Sequence, residues 1–211
     1  MSALSKSSLV EKLANNELIV SPILDPLQLG ASSIDLRMGT VVLVARAGAQ
    51  SHVDPSAYRE DKTGDHDSIK NKKQKHERFD IPFREPFLLH PGSLALVPTF
   101  EWLSLPWDLQ GIVTARSSWA REGLNIATAT IINPGYKGII TLELANFGEI
   151  PIQLYPGLKL AQIAFYDINS EDEEFDKNEI KKQLSQFHMN FEPSSGNIAK
   201  YDRPFVPKQK N

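Results

Sequence analysis

The chain has 211 residues, of which 41% are hydrophobic, and its formal net charge is -3. This length and composition predict one globular domain, residues 1–211, with a buried core. The near-neutral charge argues against binding to nucleic acid, and the absence of cysteine excludes disulfides and cysteine-ligated zinc. No apolar run approaches about 18 residues and the first residues lack a signal-peptide core, so we expect a cytoplasmic protein without membrane contact.

The first third of the chain predicts a short helix followed by strand. Apolar residues at helical spacing indicate a short N-terminal helix capped by Ser7 or Ser8. Residues 31–44 then alternate in polarity, which is typical of a strand and places Asp35 and Arg37 on one face together.

Two segments differ in composition from the rest. Residues 47–78, approximately, are rich in charge and poor in core candidates, which predicts a solvated loop or hairpin insertion. The lysines of this segment would also suit contact with a polyanion, but the solvated loop or hairpin is the favoured interpretation. From about residue 170 to residue 211 the chain becomes acidic and then irregular, which predicts a C-terminal helix and tail.

Between these segments, proline and glycine separate a series of short apolar runs over residues 79–109. Many short strands at regular spacing are typical of an all-β sandwich or barrel of the jelly-roll type. The predicted fold class is therefore all-β dominated: a distorted jelly roll or β-barrel with a short N-terminal helix and a helical or irregular C-terminal tail.

A polar turn with two arginines follows the apolar run 111–115. Arg116, Ser117 and Ser118 precede a short helical segment that Gly123 would end, and one of the two serines would cap it. Free backbone N–H groups, hydroxyls and guanidinium groups together suit phosphate oxygens. The alternative is an ordinary capped surface helix with solvated arginines.

A turn at residues 133–138 leads into a strand with a carboxylate at its centre. Alternation places Ile140, Leu142 and Leu144 on one face, and Glu143 on the other face among small and apolar groups. A desolvated carboxylate has a raised pKa, which suits a general base. The alternative is a strand glutamate that points at water.

Three segments carry a family resemblance: ARSSWAREGL, TATIINPGYKGIITLELAN and PGLKLAQIAF. Their order and spacing resemble the dCTP deaminase branch of the trimeric dUTPase-like superfamily. The segment ASSIDLRMG near the start and AKY near the end extend the resemblance, which implies a supporting role near the subunit contact for the first of them. It implies a homotrimer with active sites at subunit interfaces, and a dUTPase-like fold for the predicted jelly roll.

The resemblance also implies roles for particular residues. Glu143 matches the general base that takes a proton from the attacking water. Ser117 and Arg121 match residues that position this water and Glu143. Ala129 matches a small residue beside the attacked carbon. Further matches contact the nucleotide: Arg116, Ser118, Asn133, Tyr136, Gln162, Lys200 and Tyr201.

The implied substrate is dCTP, with dUTP as its deamination product and dTTP as a possible inhibitor. Magnesium would be bound through the triphosphate rather than by a protein cage. Zinc-dependent deaminases need a P-C-x-x-C motif, which a chain without cysteine does not supply.

Several features depart from the family pattern. Asn133 stands where an aspartate contacts the sugar hydroxyl, the 124–128 loop is one residue short, and no glutamine follows Tyr201 closely. Three functions therefore stay open. The leading one is deamination of dCTP to dUTP. The others are dUTP diphosphatase or bifunctional activity producing dUMP, and non-catalytic nucleotide binding.

Overall fold

The computed structural model describes residues 2–45, 76–126, 130–168 and 188–193. Within these ranges the chain forms two α-helices, one 3₁₀ turn and twelve β-strands. The helices are α1 (Lys6–Ala14) and α2 (Ser117–Arg121), and the 3₁₀ turn is Pro26–Gln28. The strands are β1 (Ile19–Ser21), β2 (Ser33–Arg37), β3 (Val41–Ala45), β4 (His76–Asp80), β5 (Phe87–Leu89), β6 (Leu94–Ser104), β7 (Leu109–Ala115), β8 (Leu124–Ile126), β9 (Ile131–Ile132), β10 (Lys137–Asn146), β11 (Ile152–Leu154) and β12 (Lys159–Asp167).

The strands of the described part pair antiparallel in three sheets. The largest has the order β4-β3-β6-β10-β8, with β1 also paired to β6. A second has the order β2-β12-β7-β9, and a third joins β11 to β5. One buried cluster contains side chains from both larger sheets, among them Leu142 and Leu144 from β10 and Ile163 and Phe165 from β12. This architecture confirms the predicted all-β fold class with a short N-terminal helix.

Strand β10 carries the carboxylate that the sequence singled out. Ile140, Leu142 and Leu144 are buried, as alternation predicted. Ile139 is buried as well, because the pairing with β6 shifts register between Ile139 and Thr141, and this irregularity interrupts the alternation. The sequence pattern therefore holds for the second half of the strand, where Glu143 lies.

The prediction for the cap of α1 was wrong. The N-cap is Ser5, whose hydroxyl accepts a hydrogen bond from the backbone N–H of Ser8. Several serines compete within one turn here, and the first of them has the extended backbone that an N-cap residue requires.

A buried polar network joins the two larger sheets. Glu101 on β6 is completely buried and accepts hydrogen bonds from the backbone N–H of Arg37 at 2.8 Å, from Arg37 Nη1 at 3.1 Å and from Gln28 Nε2 at 2.8 Å. Burial raises the pKa of Glu101, and the hydrogen bonds from Arg37 oppose that shift. This network links the segment that contains Arg37 to β6, so Arg37 serves packing between the two sheets.

The insertion and the tail are described only in part. Strand β4 begins at His76 and pairs with β3, so residues 46–75, which lie outside the described residues, connect two paired strands. Of the predicted tail, residues 188–193 are described. They lie along the start of β10, where Met189 donates its backbone N–H to Lys137 O and Ile139 donates to Asn190 O. In the described part of the chain, no helix is long and apolar enough to cross a membrane.

Candidate active site

Helix α2 begins where β7 ends and carries the predicted arginine and serine side chains. Ser117, Ser118 and Arg121 are exposed on it. The prediction that a serine caps this helix was wrong, because the N-cap is Arg116 and its side chain makes no capping hydrogen bond. The first backbone N–H groups of a helix have no partner inside the helix, so this end presents polar donors next to two exposed hydroxyls.

Gly123 ends the helix, as predicted. Its φ is +86°, and its backbone N–H donates to Ala120 O at 3.2 Å. A Cβ at this position would lie 2.8 Å from Gly148 N and 3.0 Å from Gly148 Cα. Glycine is therefore required both by the backbone conformation and by the close approach of the loop that follows β10.

The opposite side of α2 is attached to the start of β12. Trp119 packs against the hydrophobic core, and its Nε1–H donates to Lys159 O at 2.9 Å. The backbone N–H of Arg116 donates to Leu160 O at 3.0 Å. These two bonds fix the position of a helix that is only five residues long.

The side chain of Arg116 is paired inside the chain. Its Nη1 lies against Oδ2 of Asp35, and Lys159 Nζ lies 3.2 Å from the same oxygen. In the strand register Gln162 on β12 is opposite Asp35 on one side and Thr114 on the other, so these residues share a face of the sheet. The structure thus brings Arg116 and Gln162, both predicted nucleotide contacts, to the same side of one sheet.

The predicted turn forms between β9 and β10. Asn133 is exposed, its backbone carbonyl accepts from Tyr136 N at 3.2 Å, and Gly135 packs against the ring of Trp107. Tyr136 is buried, and its hydroxyl donates to Ile139 O. Burial raises the pKa of Tyr136 to about 12, so the phenol stays neutral and holds the turn.

Glu143 lies on β10, where it is opposite Leu96 of β6 and partly buried. Leu144, the next residue, is opposite Ile126 of β8, the strand that follows α2 in the chain. Glu143 therefore lies on one sheet, whereas α2 follows β7 of the other sheet. After α2 the chain forms β8, which pairs with β10 next to Glu143. Three predicted site residues lie outside the described residues: Ala129, Lys200 and Tyr201.

Sequence reasoning missed two charged residues near the site and one beneath it. No pattern in the sequence singled out Lys159, and the segment that contains Asp35 was expected to have only a supporting role. Glu101 was not singled out either, although a lone carboxylate inside a long apolar strand is a signal of a buried partner. In the described residues, no group of three His, Cys, Asp or Glu side chains could hold a metal ion.

Comparison with solved structures identifies the fold. The crystal structure of 2'-deoxycytidine 5'-triphosphate deaminase from Agrobacterium tumefaciens is similar with a TM-score of 0.59 and 24% sequence identity. The similarity covers 79% of this chain and 49% of that one, so this chain spans about half the length of the Agrobacterium chain.

Comparison with known sequences identifies the family. The model of the dCTP deaminase-like family matches residues 3–168. "dCTP deaminase, dUMP-forming" from Dictyoglomus turgidum is 34% identical over 197 residues, which cover 92% of this chain and 94% of the relative. The protein of the same name from Nocardioides sp. is 38% identical over 150 residues, 71% of this chain and 72% of the relative. The chain belongs to the dCTP deaminase-like family, which confirms the resemblance drawn from its motifs.

Proposed function

We propose that this protein deaminates dCTP and releases dUMP, with ammonia and pyrophosphate as the other products. The observation that carries the proposal is the similarity, along 92% of the chain, to a relative named as a dUMP-forming dCTP deaminase. Two water molecules are consumed: one replaces the amino group at C4 of the cytosine, and one cleaves the bond between the α- and β-phosphates.

In the deamination step Glu143 acts as the general base. It takes a proton from the attacking water as the oxygen bonds to C4, and it returns a proton to the amino group, which leaves as ammonia. Its place on β10, partly buried and opposite Leu96, supports this role, because it keeps the carboxylate on a rigid strand and away from bulk water. Ser117 and Arg121 orient the water and Glu143, and Ala129 leaves room beside the attacked carbon.

The phosphates bind at the start of α2 in this proposal. The exposed hydroxyl of Ser118 and the guanidinium of Arg116 supply donors for anionic oxygens. Asn133, Gln162, Lys200 and Tyr201 add contacts to the sugar and the phosphates, and Tyr136 holds the turn that carries Asn133. Magnesium arrives with the nucleotide, because phosphate oxygens are its preferred ligands.

Each site is formed between subunits of a homotrimer. Within one chain, Glu143 belongs to the sheet of β6, β10 and β8, whereas α2 leaves the sheet of β7 and β12. We propose that the helix of one subunit faces the Glu143 of a neighbour. Inhibition by dTTP stays a prediction; its thymine base differs from the uracil of the product by one methyl group. A cytoplasmic location also stays a prediction.

Asn133 favours a second candidate, in which the reaction stops at dUTP. This was the leading function predicted from the sequence, because diphosphatase chemistry in the superfamily depends on an aspartate where this chain has an amide. An amide oxygen still accepts a hydrogen bond from the sugar but carries no charge. The names of the relatives favour dUMP, and the identity of the product separates the two candidates.

The test is product analysis after incubation with dCTP and magnesium. The proposal expects dUMP, pyrophosphate and ammonia in equal amounts, whereas dUTP with ammonia would support the second candidate. Binding of dCTP to the protein without any conversion would support the third function, non-catalytic nucleotide binding. The Glu143→Gln variant should lose more than about a thousandfold in kcat while keeping its oligomeric state. Glu85→Gln is the control, because Glu85 is exposed on a turn after β4.

A further inference from the structure

A single carboxylate lies between two cations beside the candidate phosphate site. Asp35 Oδ2 contacts Arg116 Nη1 and lies 3.2 Å from Lys159 Nζ. The side chain of Asp35 is 15% exposed, against 35% for Arg116 and 28% for Lys159. The acid is therefore the most enclosed member, and the two cations lie nearer the solvent. The three groups together carry a charge of about +1 near neutral pH.

The backbones that carry the two cations are already attached to each other. Arg116 N donates to Leu160 O at 3.0 Å, and Trp119 Nε1 donates to Lys159 O at 2.9 Å. At their ends both side chains contact Asp35, and Lys159 Nζ also donates to Leu27 O at 3.4 Å. Without such partners these long side chains would be free to rotate, and immobilising one costs up to about 2 kcal/mol of rotamer entropy. A fixed carboxylate on β2 limits that freedom before any ligand binds.

Arg116 is only partly covered by its pair with Asp35. Its side chain is 35% exposed, although Nη1, the atom that contacts Asp35, is shielded from solvent. The solvent-facing part of the guanidinium can therefore donate to an anionic oxygen, and the partly exposed ammonium of Lys159 adds a second positive charge next to it.

We propose that Asp35 is a positioning residue, which holds Arg116 and Lys159 side by side as a two-cation receptor for the phosphates of the nucleotide. This inference rests on the proposed function and extends it by adding Lys159 to the phosphate contacts. Asp35 acts through the two cations and does not touch the phosphates. Loss of its charge makes the local potential more positive, yet weakens binding, because the cations repel each other and lose their fixed orientation.

The first experiment compares steady-state kinetics of Asp35→Asn with those of the unchanged protein on magnesium–dCTP. Ammonia release is followed, because it reports the deamination step alone; we expect KM to rise about tenfold and kcat for this step to change less than twofold, since the attacked carbon is remote from the phosphates. A merely structural role would lower the active fraction, and therefore kcat, without moving KM. Asp35→Glu should recover part of the loss. The matched control is Asp80→Asn, which breaks an exposed Asp–Arg pair with Arg78 on β4.

An unchanged or lower KM in Asp35→Asn would overturn the inference, because added positive charge would then be the dominant effect. If Asp35→Asn does not fold, Lys159→Gln replaces it, and an unchanged KM in that variant would overturn the inference equally.

A second measurement uses inorganic tripolyphosphate, bound in a calorimeter, and separates this inference from the proposed function. If the unchanged protein does not convert dCTP, the proposed function fails. The tripolyphosphate measurement then decides by itself whether Asp35 positions a phosphate receptor. Binding that Asp35→Asn weakens about tenfold supports the receptor. Equal binding, or none by the unchanged protein, contradicts it.

Discussion

Two glycines with nearly the same positive φ allow a controlled test of how α2 is held. Gly123 has φ +86° and Gly157 has φ +90°. A Cβ at Gly157 would meet open space, whereas at Gly123 it would lie 2.8 Å from Gly148 N. Alanine at either site occupies a backbone region that costs about 1–3 kcal/mol. At Gly123 the clash with backbone atoms adds about 1–3 kcal/mol, because backbone cannot move aside as a flexible side chain does.

We therefore expect Gly123→Ala to destabilise the protein by about 2–6 kcal/mol and Gly157→Ala by about 1–3 kcal/mol. Urea unfolding followed by intrinsic fluorescence measures both values. Gly123→Ala should also reduce dCTP turnover in the fraction that stays folded, since relief of the clash displaces α2. Equal losses of stability in the two variants would refute the reasoning, because they would mean that the contact with the loop after β10 carries no energy.

Three further predictions test single contacts. Trp119→Phe should cost about 0.5–1.5 kcal/mol, measured by urea unfolding, because it removes one hydrogen bond and keeps most of the apolar packing. Burial and a nearby lysine lower the pKa of His188, whose Nδ1 accepts a backbone hydrogen bond, so its stabilising contribution is present above its usual pKa of 6.5 and is lost as pH falls through the lowered value. The protection of the Ile139 amide, measured relative to its intrinsic exchange rate at each pH, should fall there, and His188→Asn should remove this pH dependence. Arg37→Met should cost about 3–5 kcal/mol, because it leaves Glu101 buried without its cation. Burial already raises the pKa of that carboxyl in the folded state, and loss of the cation would raise it further. The loss should therefore grow as pH rises through the raised folded-state pKa, where the unchanged protein ionises Glu101 and the variant does not. An Arg37→Met loss that is the same at pH 5 and pH 8 would contradict this assignment.

The sequence predicted the fold class, because many short strands at regular spacing are typical of it. It also predicted the faces of the second half of β10, because these follow from periodicity within one strand. It did not predict the burial of Arg37, which alternation alone would place with Asp35 on a polar face. The difference arises because Glu101, 64 residues away, and the 3₁₀ turn cover Arg37 and leave Asp35 partly open. Alternation reports which side of a strand a residue occupies, but not what packs on that side.

The same distinction applies to the site. Motif order identified the arginine and serines of α2, since these residues are adjacent in the chain. The ion pair between Arg116 and Asp35 joins distant segments and depends on the placement of β12 between β2 and β7. Strand order is not encoded in any single segment, so this contact was outside what local patterns reveal. The displaced cap of α1 has a different cause, because serines at neighbouring positions offer nearly equal caps.

Helix α2 has five residues, too few to be stable by its own hydrogen bonds. Its orientation must come from its surroundings, and three contacts provide it: Arg116 with Leu160 O, Trp119 with Lys159 O, and Gly123 with the loop at Gly148. Two of these contacts go to the first residues of β12, the strand that also places Gln162 opposite Asp35. The phosphate side of the proposed site is therefore built on β12. Changes at the start of that strand should weaken nucleotide binding even where they touch no predicted catalytic residue.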